Sequence, residues 1–228
     1  MVYQIPSDFV GIGYYEGISL IIWIVAIIIL IVASILFIYK SKHADIKSQK
    51  MLYIGYSLFL LFFALTRIFF IIGVYEADAF TGAYDFYTNL GYIMGIIGLI
   101  SWLYIVETYM IKKTKRIFSI FAIIVFMISI IALLGPLSRE FALQLIYILM
   151  PVAIGAITLL YGYIIVKTMG TIRKKALWLL IGLLIVIVGH FMDSQFFIEA
   201  FTGFPLEIAP SIMIVGEIIF LASQYIFE

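Results

Sequence analysis

The segment ISLIIWIVAIIILIVASILFIY at 18–39 has no charged side chain. An α-helix of this length would be about 33 Å long, which is enough to cross a hydrocarbon core of about 30 Å. Outward from it, six more apolar segments of similar length follow along the chain. They lie at 51–74, 87–111, 117–135, 142–166, 176–198 and 207–227. The sequence therefore predicts an all-α, polytopic membrane protein in which one domain over 1–228 forms a bundle of seven transmembrane helices.

The composition points to the same environment. Hydrophobic residues make up 65% of the chain and charged residues 12%, and the mean hydropathy is +1.22. A soluble domain is about half apolar and about a quarter charged, so this chain has too little polar surface to cover its apolar side chains in water. We expect an integral, multi-pass protein of the cell membrane whose first partner is the lipid bilayer.

Basic residues are concentrated in alternate connections between the predicted helices. These connections contain Lys40, Lys42, Lys47 and Lys50, then Lys112, Lys113, Lys115 and Arg116, then Lys167, Arg173, Lys174 and Lys175. The opposite connections carry Glu76, Asp78, Asp85, Glu199 and Glu207, with Arg139 as the exception. Short cytoplasmic loops retain positive charge, so the N-terminus is predicted outside and the C-terminus inside. The net charge is only +1 because the acidic connections balance the basic ones. We interpret the basic connections as determinants of orientation and as contacts for anionic lipid, not as nucleic-acid sites.

An internal repeat is suggested by a match of the chain with itself. FIYKSKHADIKSQKMLYIG, which ends at Gly55, aligns without gaps with IIVKTMGTIRKKALWLLIG, which ends at Gly182. The same offset places Phe69 and Phe70 on Phe196 and Phe197. Parallel repeats are one construction used by transporters. We interpret 18–111 and 142–227 as two parallel three-helix repeats joined by a helix at 117–135.

This three-plus-one-plus-three plan resembles that of the SWEET and PQ-loop transporters, although the paired helix prolines of the SWEET family have no counterparts. It is also similar to the plan of microbial rhodopsins. SWLY at 101–104 resembles the Asp-Trp-Leu-Phe run of their third helix, with Ser101 in the place of the counterion. No lysine follows Lys175, and a retinal Schiff base requires such an amine. The resemblance therefore implies a seven-helix bundle that does not bind retinal covalently.

Five ionisable residues lie inside the predicted spans, where such groups are costly and usually face the interior of a bundle. They are Arg67, Glu107, His190, Asp193 and Glu217. Counting from the basic connections, Arg67 and Asp193 share a depth roughly 26 Å from the cytoplasmic edge. The stretch GHFMDSQFF at 189–197 places His190 one turn from Asp193 on the same helix face. Glu217 is expected near the midplane and Glu107 near the inner edge.

These residues have two interpretations. Imidazole titrates near neutral pH, and burial can raise a carboxylate toward that range, so His190, Asp193 and Glu217 are suited to relay protons or bind cations. Alternatively, Arg67 pairs with Asp193, His190 donates to a nearby carbonyl, and Glu107 reaches the basic segment around Lys112.

The remaining small and polar residues of the spans are interpreted as packing groups. GYIMGIIG at 91–98 places three glycines for close helix contact, and Ser57, Ser101 and Ser129 are expected to form hydrogen bonds between helices.

The functional hypothesis is a small transporter or a conductance pathway for a small solute, proton or cation. The alternative is a receptor-like or sensory bundle of rhodopsin plan. The chain has no cysteine, no GxSxG motif and no clustered metal ligands, so we expect no enzyme, cofactor or metal site. The sequence leaves a homo-oligomer open.

Overall fold

Helices make up most of the part of the chain that the structure describes. This structure is a computed structural model, and it describes residues 17–76, 82–134, 139–193, 197, 200–201 and 204–225. Within these ranges lie seven α-helices and a 3-10 helix at Lys112–Thr114, and no strand. The α-helices are α1 (Gly17–His43), α2 (Lys47–Tyr75), α3 (Ala83–Tyr109), α4 (Ile117–Leu134), α5 (Arg139–Lys167), α6 (Gly170–Met192) and α7 (Ile208–Ala222). The prediction of an all-α fold with seven helices is confirmed.

Four of these helices, α1, α2, α3 and α6, are long and apolar enough to cross a membrane. The described parts of the other three contain shorter apolar segments, at Ile117–Ile128, Pro151–Lys167 and Ile208–Ala222. The structure therefore supports four candidate spans. The finer prediction that all seven helices cross the bilayer stays a prediction.

Several basic residues that were assigned to loops lie in helix ends instead. Lys40 and Lys42 belong to the last turn of α1, and Lys47 begins α2. Arg173 and Lys174 lie in the first turns of α6, which begins at Gly170 rather than at 176. Lysine and arginine are good helix formers, and their long side chains carry the charge away from the apolar part of the helix. The helices therefore extend beyond the apolar segments by which they were predicted.

Two predicted helix ends need correction. Helix α6 ends at Met192 rather than at 198, and Asp193 is its C-terminal cap. Helix α7 ends at Ala222 rather than at 227, and turns follow at 223–225. Apolar composition continues past both ends, so hydrophobicity alone did not indicate where the backbone leaves the helix. Residues 194–196, 198 and 226–227 of these predicted spans lie outside the described residues.

The chain divides into two compact units. Within the described residues, one unit contains 17–30 and the chain from Tyr161 onward, and the other contains Ile31–Leu160. Helices α1 and α5 each contribute to both units, whereas the pair α6 and α7 belongs to the first and the series α2, α3 and α4 to the second.

The second unit has an aromatic core between α1, α2 and α3. The indole of Trp102 is fully buried, and its ring centroid lies 4.7 Å from that of Phe59 and 5.8 Å from that of Tyr56. Tyr56 in turn packs against Phe37 of α1 at 5.3 Å. Aromatic pairs at these spacings contribute beyond the area that they bury. Of SWLY at 101–104, Trp102 and Leu103 are therefore core residues of this unit, whereas Tyr104 is exposed.

The glycines of GYIMGIIG pack α3 against α2, as predicted. A Cβ atom on Gly91 would lie 2.5 Å from the Phe70 ring, one on Gly95 3.2 Å from Thr66 Oγ1, and one on Gly98 3.0 Å from Phe62 Cβ.

The predicted hydrogen bonds of the serines are confirmed at one of the three positions. The hydroxyls of Ser34 and Ser57 lie 2.8 Å apart between α1 and α2, so the prediction of a bond between helices is correct for Ser57. It is wrong for Ser101, which donates to Ile97 of its own helix. The side chain of Ser129 lies outside the described residues.

Candidate functional site

Helices α6 and α7 approach each other at glycine positions. A Cβ atom on Gly182 would lie 2.6 Å from Phe220 N, and one on Gly216 would lie 2.7 Å from Gly182 O. A Cβ atom on Gly189 would lie 2.9 Å from Ala209 O. These neighbours are backbone atoms, which cannot rotate away as a side chain can. The two helices are therefore in direct backbone contact, and glycine is the residue that fits at the crossing.

Glu217 lies next to this contact and is only 2% exposed. The other buried residues of α7 are Ala209, Pro210, Met213, Gly216 and Phe220. Positions 213, 217 and 220 are four and three residues apart, so they follow one another along the same helix face. Glu217 is therefore in the buried stripe of α7 rather than on its exposed face.

The glycine contacts also set the level of Glu217 relative to His190. Gly216 lies opposite Gly182 and Val186, whereas Gly189 lies opposite Ala209 and Met213. Glu217 is therefore level with the turn of α6 that begins at Gly182. His190 is about 10 Å farther along the axis of α6, given a rise of 1.5 Å per residue. Glu217 and His190 therefore lie at different depths along the α6–α7 pair, about two helical turns apart.

His190 and Asp193 lie at the C-terminal end of α6. Both are half-buried. The N–H of Asp193 donates to Gly189 O at 3.0 Å, which continues the helical spacing and keeps Asp193 one turn from His190, as predicted. The N-terminal cap of α7, Glu207, belongs to the same end of this antiparallel pair. Two carboxylates and an imidazole therefore occupy one end of the α6–α7 pair, and Glu217 lies deeper between the helices.

Arg67 is buried in the second unit with an exposed fraction of 1%. Its guanidinium carbon lies 5.5 Å from the centroid of the Phe63 ring and 5.8 Å from that of Phe70. Both rings belong to α2 itself, one turn on either side of Arg67, so the helix supplies cation–π partners for its own arginine. The predicted pair with Asp193 joins residues of the two separately described units and stays a prediction.

Glu107 has a defined structural role at the start of α4. It is 1% exposed, and its carboxylate accepts hydrogen bonds from the N–H groups of Phe118 and Ser119, at 3.3 and 2.7 Å, and from the Ser119 hydroxyl. The first N–H groups of a helix have no partner within that helix, and a negative charge there is favourable. Glu107 therefore caps α4 from the end of α3. This contact explains its burial without a part in a polar route, and its assignment to that route stays a prediction.

Sequence reasoning did not find a cavity beside this cap. The cavity has a volume of about 370 Å³ and is lined by Glu107, Thr108, Lys115 and Arg116. The two basic residues were interpreted as indicators of membrane orientation and as contacts for anionic lipid, and Thr108 was not considered. The adjacent pair Lys115 and Arg116 was the available signal, but its placement against the end of α3 depends on the turn between the helices.

Among the described residues, no group of three His, Asp or Glu side chains is placed to hold a metal ion. Comparison of the chain with models of protein families, with curated proteins and with solved structures finds no match.

Proposed function

We propose that the protein is a small integral membrane transporter or conductance pathway for protons or small cations, with its polar route along the α6–α7 pair. The observation that carries this proposal is the burial of the Glu217 carboxyl at a helix contact made by glycines. Ionisable groups in membrane helices are costly, and many of them lie on ion or proton pathways.

The exposed surface of the helices supports a lipid environment. Ile21, Ile28 and Ile35 of α1 are each more than half exposed, and so are Ile120 and Ile124 of α4. A soluble monomer rarely exposes large contiguous apolar surface, whereas lipid tails are a favourable neighbour for it. The helices also satisfy their own backbone hydrogen bonds, as a membrane span requires.

The proposed orientation has the N-terminus outside, the C-terminus inside and all seven helices across the bilayer. The distribution of basic residues supports this orientation. Most of the lysines lie in or beside the α1–α2 and α5–α6 connections, and short cytoplasmic connections retain positive charge. The parallel repeat of 18–111 and 142–227 remains part of this proposal. It would relate the first three helices to the last three, as in one class of transporters.

The route begins at the end of the α6–α7 pair where Asp193, His190 and Glu207 lie. Acidic groups at this end raise the local concentration of cations. Glu217 is the deeper group, about 10 Å from His190 along the helix axis, and water between the helices would connect the two residues in this route. This arrangement fits a conducted proton or cation better than a large solute, because the glycine contacts leave little space between the helices.

Transport is tested with purified protein in proteoliposomes under proton, sodium and potassium gradients. We expect flux from the parent protein and its loss in Glu217→Gln, which keeps the shape of the side chain but removes its charge. The matched control is Glu76→Gln, at an exposed acid after α2, which should leave the flux unchanged. Equal flux in folded Glu217→Gln would remove Glu217 from the route. No flux from the parent under any gradient would favour the receptor-like alternative.

Orientation is tested separately, because the chain has no native cysteine. Single substitutions Ser7→Cys, Thr114→Cys and Thr171→Cys are treated with a membrane-impermeant thiol reagent in intact cells. We expect labelling at position 7 and protection at 114 and 171. Labelling at 114 with protection at 7 would reverse the proposed topology without bearing on whether the protein transports ions.

A further inference from the structure

The cavity beside the α3–α4 connection has polar groups on two sides. The last turn of α3 contributes Glu107 and Thr108, and the turn before α4 contributes Lys115 and Arg116. Its volume of about 370 Å³ falls within the range of small-molecule sites. Both basic side chains are exposed, so a ligand can reach them from the surface.

The backbone of this turn has an uncommon conformation. Lys115 and Arg116 have φ angles of 49° and 65°, in the left-handed region that residues other than glycine seldom adopt. The carbonyl of Arg116 accepts the N–H of Ile120 at 2.9 Å. Arg116 therefore occupies the N-terminal cap position of α4. This conformation places two consecutive basic residues along the same cavity.

The guanidinium of Arg116 is oriented by an aromatic ring. Its central carbon lies 5.2 Å from the centroid of the Tyr104 ring, which belongs to α3. Contact with a ring uses the face of the guanidinium and leaves the N–H groups on its edge for acceptor oxygens. Arginine binds phosphate through such paired N–H groups, and lysine adds a compact positive charge.

Thr108 supplies a further polar group. Several threonines and serines in these helices donate to the carbonyl one turn earlier, as Thr66 does to Phe62 and Thr88 to Tyr84. Within the described part of the chain, Thr108 Oγ1 is buried and has no hydrogen-bond partner. A buried hydroxyl without a partner is costly, and a ligand oxygen in the cavity would remove that cost.

Glu107 adds a negative charge to the lining of the cavity and restricts which N–H groups a ligand can contact. Its carboxylate is engaged by the backbone and side chain at the start of α4, so these N–H groups are not available to a ligand. Recognition of an anion must therefore come from the side chains of Lys115, Arg116 and Thr108.

We propose that this cavity binds a phosphate group, with Lys115 and Arg116 providing the charge and Thr108 donating a hydrogen bond to a phosphate oxygen. The phosphate belongs either to an anionic lipid headgroup or to a small soluble phosphate compound. This inference is independent of the proposed transport, since the site lies in the other compact unit.

The test measures binding by native mass spectrometry of the full chain in neutral detergent. The lipid probes are dioleoyl phosphatidic acid and, as a zwitterionic reference, dioleoyl phosphatidylcholine. Thermal unfolding with inorganic phosphate, against chloride at equal ionic strength, tests the soluble source. Stabilisation by phosphate alone assigns the site to a soluble compound, and saturable binding of phosphatidic acid alone assigns it to a headgroup.

The variants are Lys115→Gln, Arg116→Gln and Thr108→Val. We expect each loss of a basic side chain to weaken binding about fivefold, the factor that one Lys or Arg contributes near an anionic surface. The matched control is Lys113→Gln, an exposed lysine of the same connection that does not line the cavity, and it should change binding less than the other two. Lys115→Arg keeps the charge and should bind as the parent does.

The proposal is overturned if neither probe binds in a saturable manner. It is also overturned if Lys113→Gln weakens binding as much as Lys115→Gln does, because the effect would then be that of diffuse surface charge. Thr108→Val distinguishes the cavity from its rim, since a ligand outside the cavity would not respond to that change. Unchanged binding in Thr108→Val would show that the buried hydroxyl does not contact the ligand, and the proposed site would then be wrong.

Discussion

The α2–α3 and α6–α7 pairs are both packed through glycines, but what lies opposite those glycines differs. In the α2–α3 pair the nearest groups are side chains, among them the Phe70 ring and the Thr66 hydroxyl. In the α6–α7 pair they include backbone atoms of Gly216, Phe220 and Ala209. The closest contacts of the glycines in the first pair are with side chains, whereas in the second pair Cβ atoms on Gly182 and Gly216 would meet backbone atoms at 2.6 and 2.7 Å.

The buried charged residues of the two pairs also differ in their surroundings. Arg67 lies in the first pair with aromatic rings on both sides, so much of its apolar stem and guanidinium face is packed. Glu217 lies in the second pair beside a glycine and has a short side chain. We interpret Arg67 as a group that stabilises its helix pair, and under the proposed function Glu217 belongs to a route between α6 and α7. The predictions below test this distinction.

The largest effect is expected for Arg67→Ala. Loss of this side chain removes packing between Phe63 and Phe70 and two buried cation–π contacts, each worth about 2 kcal/mol when desolvated. The free energy of unfolding is measured by chemical denaturation in mixed micelles. A loss below about 1 kcal/mol, the usual value of an exposed charge pair, would show that Arg67 is not a structural group.

A smaller but clear loss is expected for Gly182→Ala. The new methyl group would meet Phe220 N and Gly216 O, and overpacking of this kind costs about 1 to 3 kcal/mol. Gly162→Ala in α5 is the control, because a Cβ atom there meets nothing within 4 Å. The control should be neutral or slightly stabilising, since alanine favours helix over glycine. Equal stability of the two variants would contradict the backbone contact between α6 and α7.

Gly95→Ala should cost less than Gly182→Ala. Its Cβ atom would lie 3.2 Å from Thr66 Oγ1, a side-chain atom that can shift by a few tenths of an ångström. The gain in helix propensity, about 1 kcal/mol, offsets much of that strain. Denaturation of both variants under the same conditions gives the difference directly. A greater loss for Gly95→Ala would reverse the distinction between side-chain and backbone packing.

The smallest effect on stability is expected for Glu217→Gln. The amide has the same shape as the carboxyl and removes a charge whose burial is unfavourable, so the free energy of unfolding should change by less than about 1.5 kcal/mol. Its effect on flux should be large, as stated above. A stability loss comparable to that of Arg67→Ala would make Glu217 a structural residue, like its counterpart in the other pair.

Residue type and spacing were enough to predict the helices and the glycine packing. The long apolar segments at 18–39 and 51–74 predict helices, because a backbone in apolar surroundings must satisfy its own hydrogen bonds. The small residues at 91, 95 and 98 share one helix face by their spacing alone. These features depend on local periodicity, which the sequence contains in full.

Only the tertiary structure showed where each buried charged residue lies and what surrounds it. Glu107 is assigned to the cap of α4 by contacts with residues eleven and twelve positions away, and no local pattern indicates that turn. The level of Glu217 relative to His190 depends on where α6 and α7 cross, which is set by glycines on both helices. The cavity at Thr108, Lys115 and Arg116 likewise depends on the turn before α4, in which Lys115 and Arg116 both have left-handed backbone conformations. Such features arise from contacts between separate segments, so periodicity predicts the elements while packing determines the sites.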